Sequence, residues 1–160
     1  MKKVFLSFSF LAIFSLFSFK TGGEHLKWNH WNDGFSRAKT EEKIALIDAY
    51  TDWCGWCKKM DRDTYEDSSI IAKINANFIP IKFNPELEGQ YNVGDTTYDG
   101  RTLLNALSSG KSSGYPTTFF YLPRQNKMYQ YPGYMDATKF GELLDGLASL
   151  HNGIGENTPK

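Results

Sequence analysis

Cysteine is the scarcest informative residue in this 160-residue chain: there are two, Cys54 and Cys57, three positions apart. That scarcity excludes a disulfide scaffold, which needs thiols spread along the chain to staple it. Histidine is almost as sparse, with His25, His30 and His151 scattered. Two cysteines without a neighbouring histidine do not complete the four-ligand shell of structural zinc, so no metal is expected. Neither sign of charge dominates, Lys and Arg numbering 18 against 18 Asp and Glu. Residues 1–20 hold Lys2, Lys3 and Lys20 and no acid, so the remainder carries a small acidic excess and no basic footprint for nucleic acid. Internal repeats are missing too. At 41% hydrophobic and 16% aromatic, the length suits one well-cored domain.

Only one long hydrophobic run exists, at the N-terminus. MKK is followed by VFLSFSFLAIFSLFSF, a positive start and a short apolar stretch that read as an export signal over residues 1–22. An uncleaved anchor is the alternative, but serines interrupt the run and it falls short of the roughly 20 residues a spanning helix needs. No clear small-x-small cleavage site is visible, which places the cut near residues 18–24.

The body of the chain reads as alternating helices and strands. Trp28, Trp31, Phe35 and Ala38 recur at helical spacing, which predicts a helix over 27–39. KIALIDAY (43–50) is apolar except for Asp48, as in a strand buried on both faces of a parallel or mixed sheet. KKMDRDTY reads as helical, and DSSIIAKINANF as a further helix capped by Asp67 or Ser68, ahead of the strand FIPIKFN (78–84). The Gly-, Asn- and Asp-rich stretch from Pro85 reads as a surface loop followed by one short helix, RTLLNALSSG, that Gly110 ends. Two strands, TTFFYLP and KMYQYPG, flank a turn at 123–126. A last helix faces Phe140, Leu143, Leu144, Leu147 and Leu150 inward, and residues 151–160 read as a flexible tail.

Against this frame, both cysteines fall at the junction where a buried strand gives way to a helix. A disulfide closing so small a ring stabilises by only roughly 2 kcal/mol on the chain-entropy model, which is a weak reason to place the whole thiol supply there. Chemistry is the better reason. At a helix start, Cys54 meets unpaired backbone N–H groups and the positive end of the helix dipole, both of which favour a thiolate. Cys57, one turn on, is within reach to resolve a mixed disulfide made by Cys54. An aspartate inside an apolar strand should have a raised pKa, which makes Asp48 a candidate base near neutral pH.

WCGWCK, the buried strand before it, the later Gly114-Tyr115-Pro116-Thr117 and Gly133 occur in the order found in the thioredoxin superfamily, and residues 27–150 resemble it. The nearer likeness is to exported thioredoxin-like proteins, including the periplasmic thioredoxin-like domain of the membrane thiol:disulfide interchange reductase. The resemblance implies an α/β thioredoxin-like fold with a four- or five-stranded mixed sheet flanked by helices. It implies Cys54 as attacking thiol, Cys57 as resolving thiol and Asp48 as the buried acid that exchanges a proton with Cys57 through water, with Lys82 pairing with that acid. It also implies a cis peptide bond at Tyr115-Pro116, where a client chain pairs like an added strand. Trp53, Gly55, Trp56, Tyr115, Pro116 and Gly133 then form the expected client-contacting set. Trp56 stands where a proline is common in the family, and no histidine lies between the cysteines, which leans the pair toward reduction.

The function implied is that of an exported thiol:disulfide oxidoreductase, acting as a protein-disulfide reductase in the periplasm of a Gram-negative bacterium. It would act on disulfide-containing envelope proteins and be recharged by a membrane electron donor, with no cofactor beyond the Cys54–Cys57 pair. The alternatives are a disulfide oxidase or isomerase on the same fold, and a non-catalytic adaptor.

Overall fold

The computed structural model describes residues 25–111 and 114–153. The expected export signal at 1–22 and the end of the expected tail, 154–160, lie outside the described residues. Five α-helices and six strands follow one another: α1 (Trp31–Thr40), β1 (Ile44–Ala49), α2 (Gly55–Met60), α3 (Ser68–Asn77), β2 (Phe78–Phe83), β3 (Tyr91–Val93), β4 (Thr96–Tyr98), α4 (Gly100–Leu107), β5 (Thr117–Leu122), β6 (Lys127–Pro132) and α5 (Ala137–Gly153). A π-helical turn, Asp61–Tyr65, continues α2.

The main sheet has four strands in the order β2-β1-β5-β6. β1 runs parallel to β2 and antiparallel to β5, and β6 is antiparallel to β5, which makes the sheet mixed. All six residues of β1 are buried, because helices cover both faces of this central strand. Its two-residue period sorts the core into two layers. Ile44 and Leu46 face Met60, Tyr65, Ile74, Phe120 and Phe140, whereas Ala45, Ile47 and Ala49 face Trp31, Phe35, Ile81, Leu103 and Phe119. Asp48, in step with Leu46, therefore points to the layer beneath α2.

Two helices differ at one end from the sequence reading, while α3 uses one of its two expected caps. The first helix starts at Trp31 rather than at 27, because Asn29 forms a strand-like bridge to Ile81 and bonds through its N–H to Pro80 O at 2.9 Å. Trp28 is thereby diverted to the opposite layer, where it packs edge-on against Tyr65 at 4.9 Å. At the other end, α5 continues to Gly153 and buries His151, whose Nε2 lies 2.7 Å from Glu42 O. Residues 151–153 are thus helix and not tail, while Leu150, expected inward, is 43% exposed. Asp67 rather than Ser68 caps α3, its carboxylate accepting from Ser69 N and Ile70 N.

The segment after Pro85 is not a bare loop ahead of one helix. Tyr91–Val93 and Thr96–Tyr98 form a hairpin around Gly94-Asp95, with Gly94 at φ +60°. Alternation about a Gly-Asp pair is a hairpin signal that the composition of the stretch masked. Trp31 anchors the hairpin to α1 by donating its indole N–H to Asn92 O at 3.0 Å. Asp99 caps α4 by accepting from Thr102 N, and Gly100 then passes so close to Pro85 that a Cβ would sit 2.5 Å from the Pro85 carbonyl oxygen. Backbone cannot swing aside as a side chain can. Gly100→Ala should therefore lower stability by about 1–3 kcal/mol, read as a fall in the urea midpoint.

Candidate functional site: a dithiol at the start of a helix

β1 ends at Ala49 and the chain turns through Thr51, whose carbonyl accepts from Cys54 N at 3.1 Å. This turn sets Cys54 at the N-cap of α2, in extended conformation, with Cys57 in the first turn. The two are joined in a disulfide with a Cα–Cα distance of 5.3 Å. The backbone N–H of Cys57 donates to Cys54 Sγ at 3.1 Å, placing a donor where a thiolate would need one. Both cysteines are buried, whereas Trp53 and Trp56 are 68% and 60% exposed and flank them, with Gly55 exposed between.

The chain returns to this place at the peptide bond Tyr115-Pro116, which is cis. Gly133 N donates to Pro116 O at 2.8 Å, tying the start of β5 to the end of β6. Trp53 meets the Tyr115 ring edge-on at 5.8 Å, and Trp56 meets Tyr134 at 5.5 Å. Trp56, Tyr115, Pro116, Gly133 and Tyr134 line an open slot of about 400 Å³. The six residues expected to contact a client thus lie around one disulfide.

A charge cluster with Asp48 at its buried end lies in the core layer that also holds Met60 of α2 and Tyr65. Asp48 is 1% exposed, and its Oδ2 accepts from Lys82 Nζ at 2.6 Å. Register explains the pairing, since Asp48 lies directly beside Lys82 across the β1–β2 ladder. Lys82 also pairs with Asp61, on the first residue of the π turn. Three aromatic faces surround its ammonium, with Nζ 4.7 Å from the Trp28 ring centroid, 4.9 Å from Tyr50 and 5.4 Å from Tyr65. Burial raises the pKa of Asp48 above the ordinary carboxylate value, with Lys82 only partly opposing it. Burial works against the Lys82 ammonium, but the Asp48 and Asp61 carboxylates outweigh it and hold its pKa up. Asp48 Oδ1 has no hydrogen-bond partner among the described residues.

Six contributors to the site escaped the sequence reading. Glu86 accepts from the Trp53 indole N–H at 2.9 Å and so holds the ring over the site. Burial first, and Glu86 next, raise the pKa of the Tyr115 hydroxyl. Tyr134 walls the slot, Asp61 supplies the second carboxylate on Lys82, and Trp28 with Tyr50 and Tyr65 encloses that lysine. Asp61, one helical turn after Cys57, was within reach of a spacing argument, but Glu86, 33 residues from Trp53, had no local signal. Among the described residues, no three His, Cys, Asp or Glu side chains come together as a metal site.

A family model described as "Protein of unknown function, DUF255" (Thioredox_DsbH) matches residues 14–155. The chain belongs to this family. As a Thioredox_DsbH member it is similar to the thiol:disulfide interchange protein DsbD of Photorhabdus laumondii subsp. laumondii, 27% identical over 123 residues that make up 74% of this chain and 19% of the relative. The chain therefore spans about a fifth of that relative's length. Among solved structures, a thioredoxin from Thermus thermophilus superposes with a TM-score of 0.65 at 15% identity, covering 82% of this chain and 94% of the other. A protein titled DsbH Oxidoreductase superposes at 0.58 and 15% identity, covering 80% and 88%. The Thioredox_DsbH chain has the thioredoxin fold, with its CxxC pair at the place the resemblance implied.

Proposed function

We propose that the protein is an exported thiol:disulfide oxidoreductase that works as a reductase on disulfides of envelope proteins. The observation that carries the reading is the Cys54–Cys57 disulfide at the start of α2, set between two exposed tryptophans of which Trp53 meets Tyr115 and Trp56 shares a slot with Tyr115-Pro116. In the reduced protein, the Cys54 thiolate attacks one sulfur of a client disulfide, forming the Cys54–client bond and releasing the other client sulfur as a thiolate that takes a proton. The Cys57 thiolate then attacks Cys54 Sγ, re-forming the Cys54–Cys57 bond and releasing the second client thiol. Two electrons pass from the dithiol to the client, and a second dithiol of a membrane donor returns them by the same exchange.

Asp48 serves this cycle as the group that accepts the Cys57 proton, through water. Burial raises its pKa above the ordinary carboxylate value, and Oδ1, without a hydrogen-bond partner among the described residues, is the atom for that proton, Oδ2 being occupied by Lys82. The cysteines carry the electrons themselves, so the reading needs no cofactor. Export to the periplasm of a Gram-negative bacterium is supported by MKK and the apolar run after it.

Direction is decided by potential. Equilibrating the mature protein against glutathione or dithiothreitol, with alkylation of free thiols as readout, should place the Cys54–Cys57 couple below about −220 mV, in the range of reductases near −270 mV. A value above about −180 mV, toward the oxidants near −120 mV, overturns the reductase direction in favour of an oxidase or isomerase.

A further inference from the structure

The surroundings of the dithiol are electrically lopsided. On the Trp56 side, Lys59 lies over the Tyr134 ring with Nζ 5.0 Å from its centroid, and Lys58 and Arg62 sit on the same helical run. Asp63 pairs with Lys59 and lies 3.9 Å from Arg62, and Asp61 on the same run is taken up by Lys82, so Lys58, Lys59 and Arg62 outnumber the acid left to offset them beside the slot. On the Trp53 side, Asp52 adjoins the tryptophan, Glu86 accepts from its indole, and Glu88 follows on the same exposed loop. Arg101 offsets part of this, leaving an acidic excess on that flank.

Between the flanks, the slot is apolar and unfilled. Its walls are aromatic, and Gly133 at φ +91° has open space where a Cβ would stand. Trp56, at 60% exposed, is a large apolar surface left for a partner to cover. We propose that this site selects extended client segments whose target cysteine has a bulky aromatic or aliphatic neighbour, followed by acidic residues, on one side and basic residues on the other. The apolar neighbour enters the slot that Trp56 and Tyr134 wall together with Tyr115, Pro116 and Gly133, the acidic residues meet Lys58 and Arg62, and the basic residues meet Glu86 and Glu88. Such complementarity acts mainly on encounter and orientation, so it should appear in kcat/KM at low salt. The inference rests on the dithiol-exchange reading and adds the client's chemistry to it.

The test uses reduced protein and symmetric disulfide dimers of short peptides, followed by alkylation. Lys-Lys-Cys-Phe-Glu-Glu and its reversed sequence, which together cover both chain directions, are compared with counterparts whose charges are exchanged and with counterparts carrying Ser for Phe. At least one of the first pair should be reduced about tenfold faster than its charge-exchanged counterpart at low salt, the gap closing near 1 M salt, where the Debye length falls to about 3 Å. Tyr134→Ala should shrink the Phe-over-Ser preference, and Lys58→Glu combined with Arg62→Glu should shrink or invert the charge preference. Both are ratios within one variant, so a general loss of folded protein does not mimic them. Equal rates for all peptides alongside normal insulin reduction overturn the proposal and leave the exchange reading intact. Failure to reduce any peptide or insulin overturns both.

Discussion

Cys54→Ser should abolish insulin reduction, lowering turnover by at least about 10³-fold, because the thiol that remains, Cys57, lies buried inside the first turn of α2 and not at its start. Cys57→Ser should fail differently. It keeps the attacking thiol at the start of α2 and the N–H that faces its sulfur, so the first exchange proceeds and stops at the mixed disulfide. Non-reducing gels should show a covalent Cys54–client adduct in Cys57→Ser, cleared by dithiothreitol, and none in Cys54→Ser. If Cys54→Ser retains turnover, or if Cys57→Ser forms no adduct, the division of labour between the two thiols is wrong. A protein that used this surface only to bind partners would show neither the loss nor the adduct.

Lys82→Met should be the most destabilising substitution near the site, by about 3–5 kcal/mol at pH 8, because it leaves Asp48 buried without its counter-charge. The methionine keeps most of the apolar stem packed, so the loss is chiefly that of the ammonium, shared by Asp48 and Asp61 and enclosed by Trp28, Tyr50 and Tyr65. The pH dependence has a definite sign. Burial places the folded pKa of Asp48 above its unfolded value, so the folded protein holds the proton more tightly. That contribution is fully present below the unfolded carboxylate value of about 3.9 and is lost as pH rises through the folded pKa. Without Lys82 the folded pKa rises further, and the deficit of Lys82→Met should be larger at pH 8 than at pH 5. Asp48→Asn in the same chain should recover most of it, since a neutral amide needs no counter-charge. Urea unfolding of the single and double variants at the two pH values measures all of this. A pH-independent deficit, or no recovery in the double variant, would show that Lys82 acts through packing alone.

In the proposed cycle, the same pair links stability to catalysis. Lys82 holds Oδ2, and Oδ1, without a partner of hydrogen-bond geometry among the described residues, is left for one proton, with the nearby Tyr65 hydroxyl favouring the charged form. A carboxylate with both oxygens hydrogen-bonded would be held ionised instead.

How legible the site was depended on distance along the chain. The two thiols, the strand that delivers them and Asp48 six residues earlier lie within one stretch, and local pattern was enough to place them at one strand-to-helix junction. The partnership of Asp48 with Lys82 came from the resemblance, and the parallel register of β1 and β2 gives its physical basis. Where sequence reasoning slipped, a competing contact had won: Trp28 has the right spacing for α1, but Asn29 bonds to the edge of β2 and turns it away. His151 follows a helix of ordinary length, yet a bond to Glu42, 109 residues earlier, keeps α5 going past it.

By itself, then, the sequence determined that a lone CxxC pair would begin a helix after a fully buried strand, because hydrophobic period and capping act between neighbours. It also determined that an acid would be buried in that strand, whose apolar run leaves Asp48 no exposed face. Only the tertiary structure decided what surrounds them: Glu86 holding Trp53, Tyr134 facing Trp56, Asp61 sharing Lys82, and opposite charges on the two flanks of the dithiol. The last of these joins loops and helices far apart in sequence, where loop closure and packing, rather than local preference, set the partner.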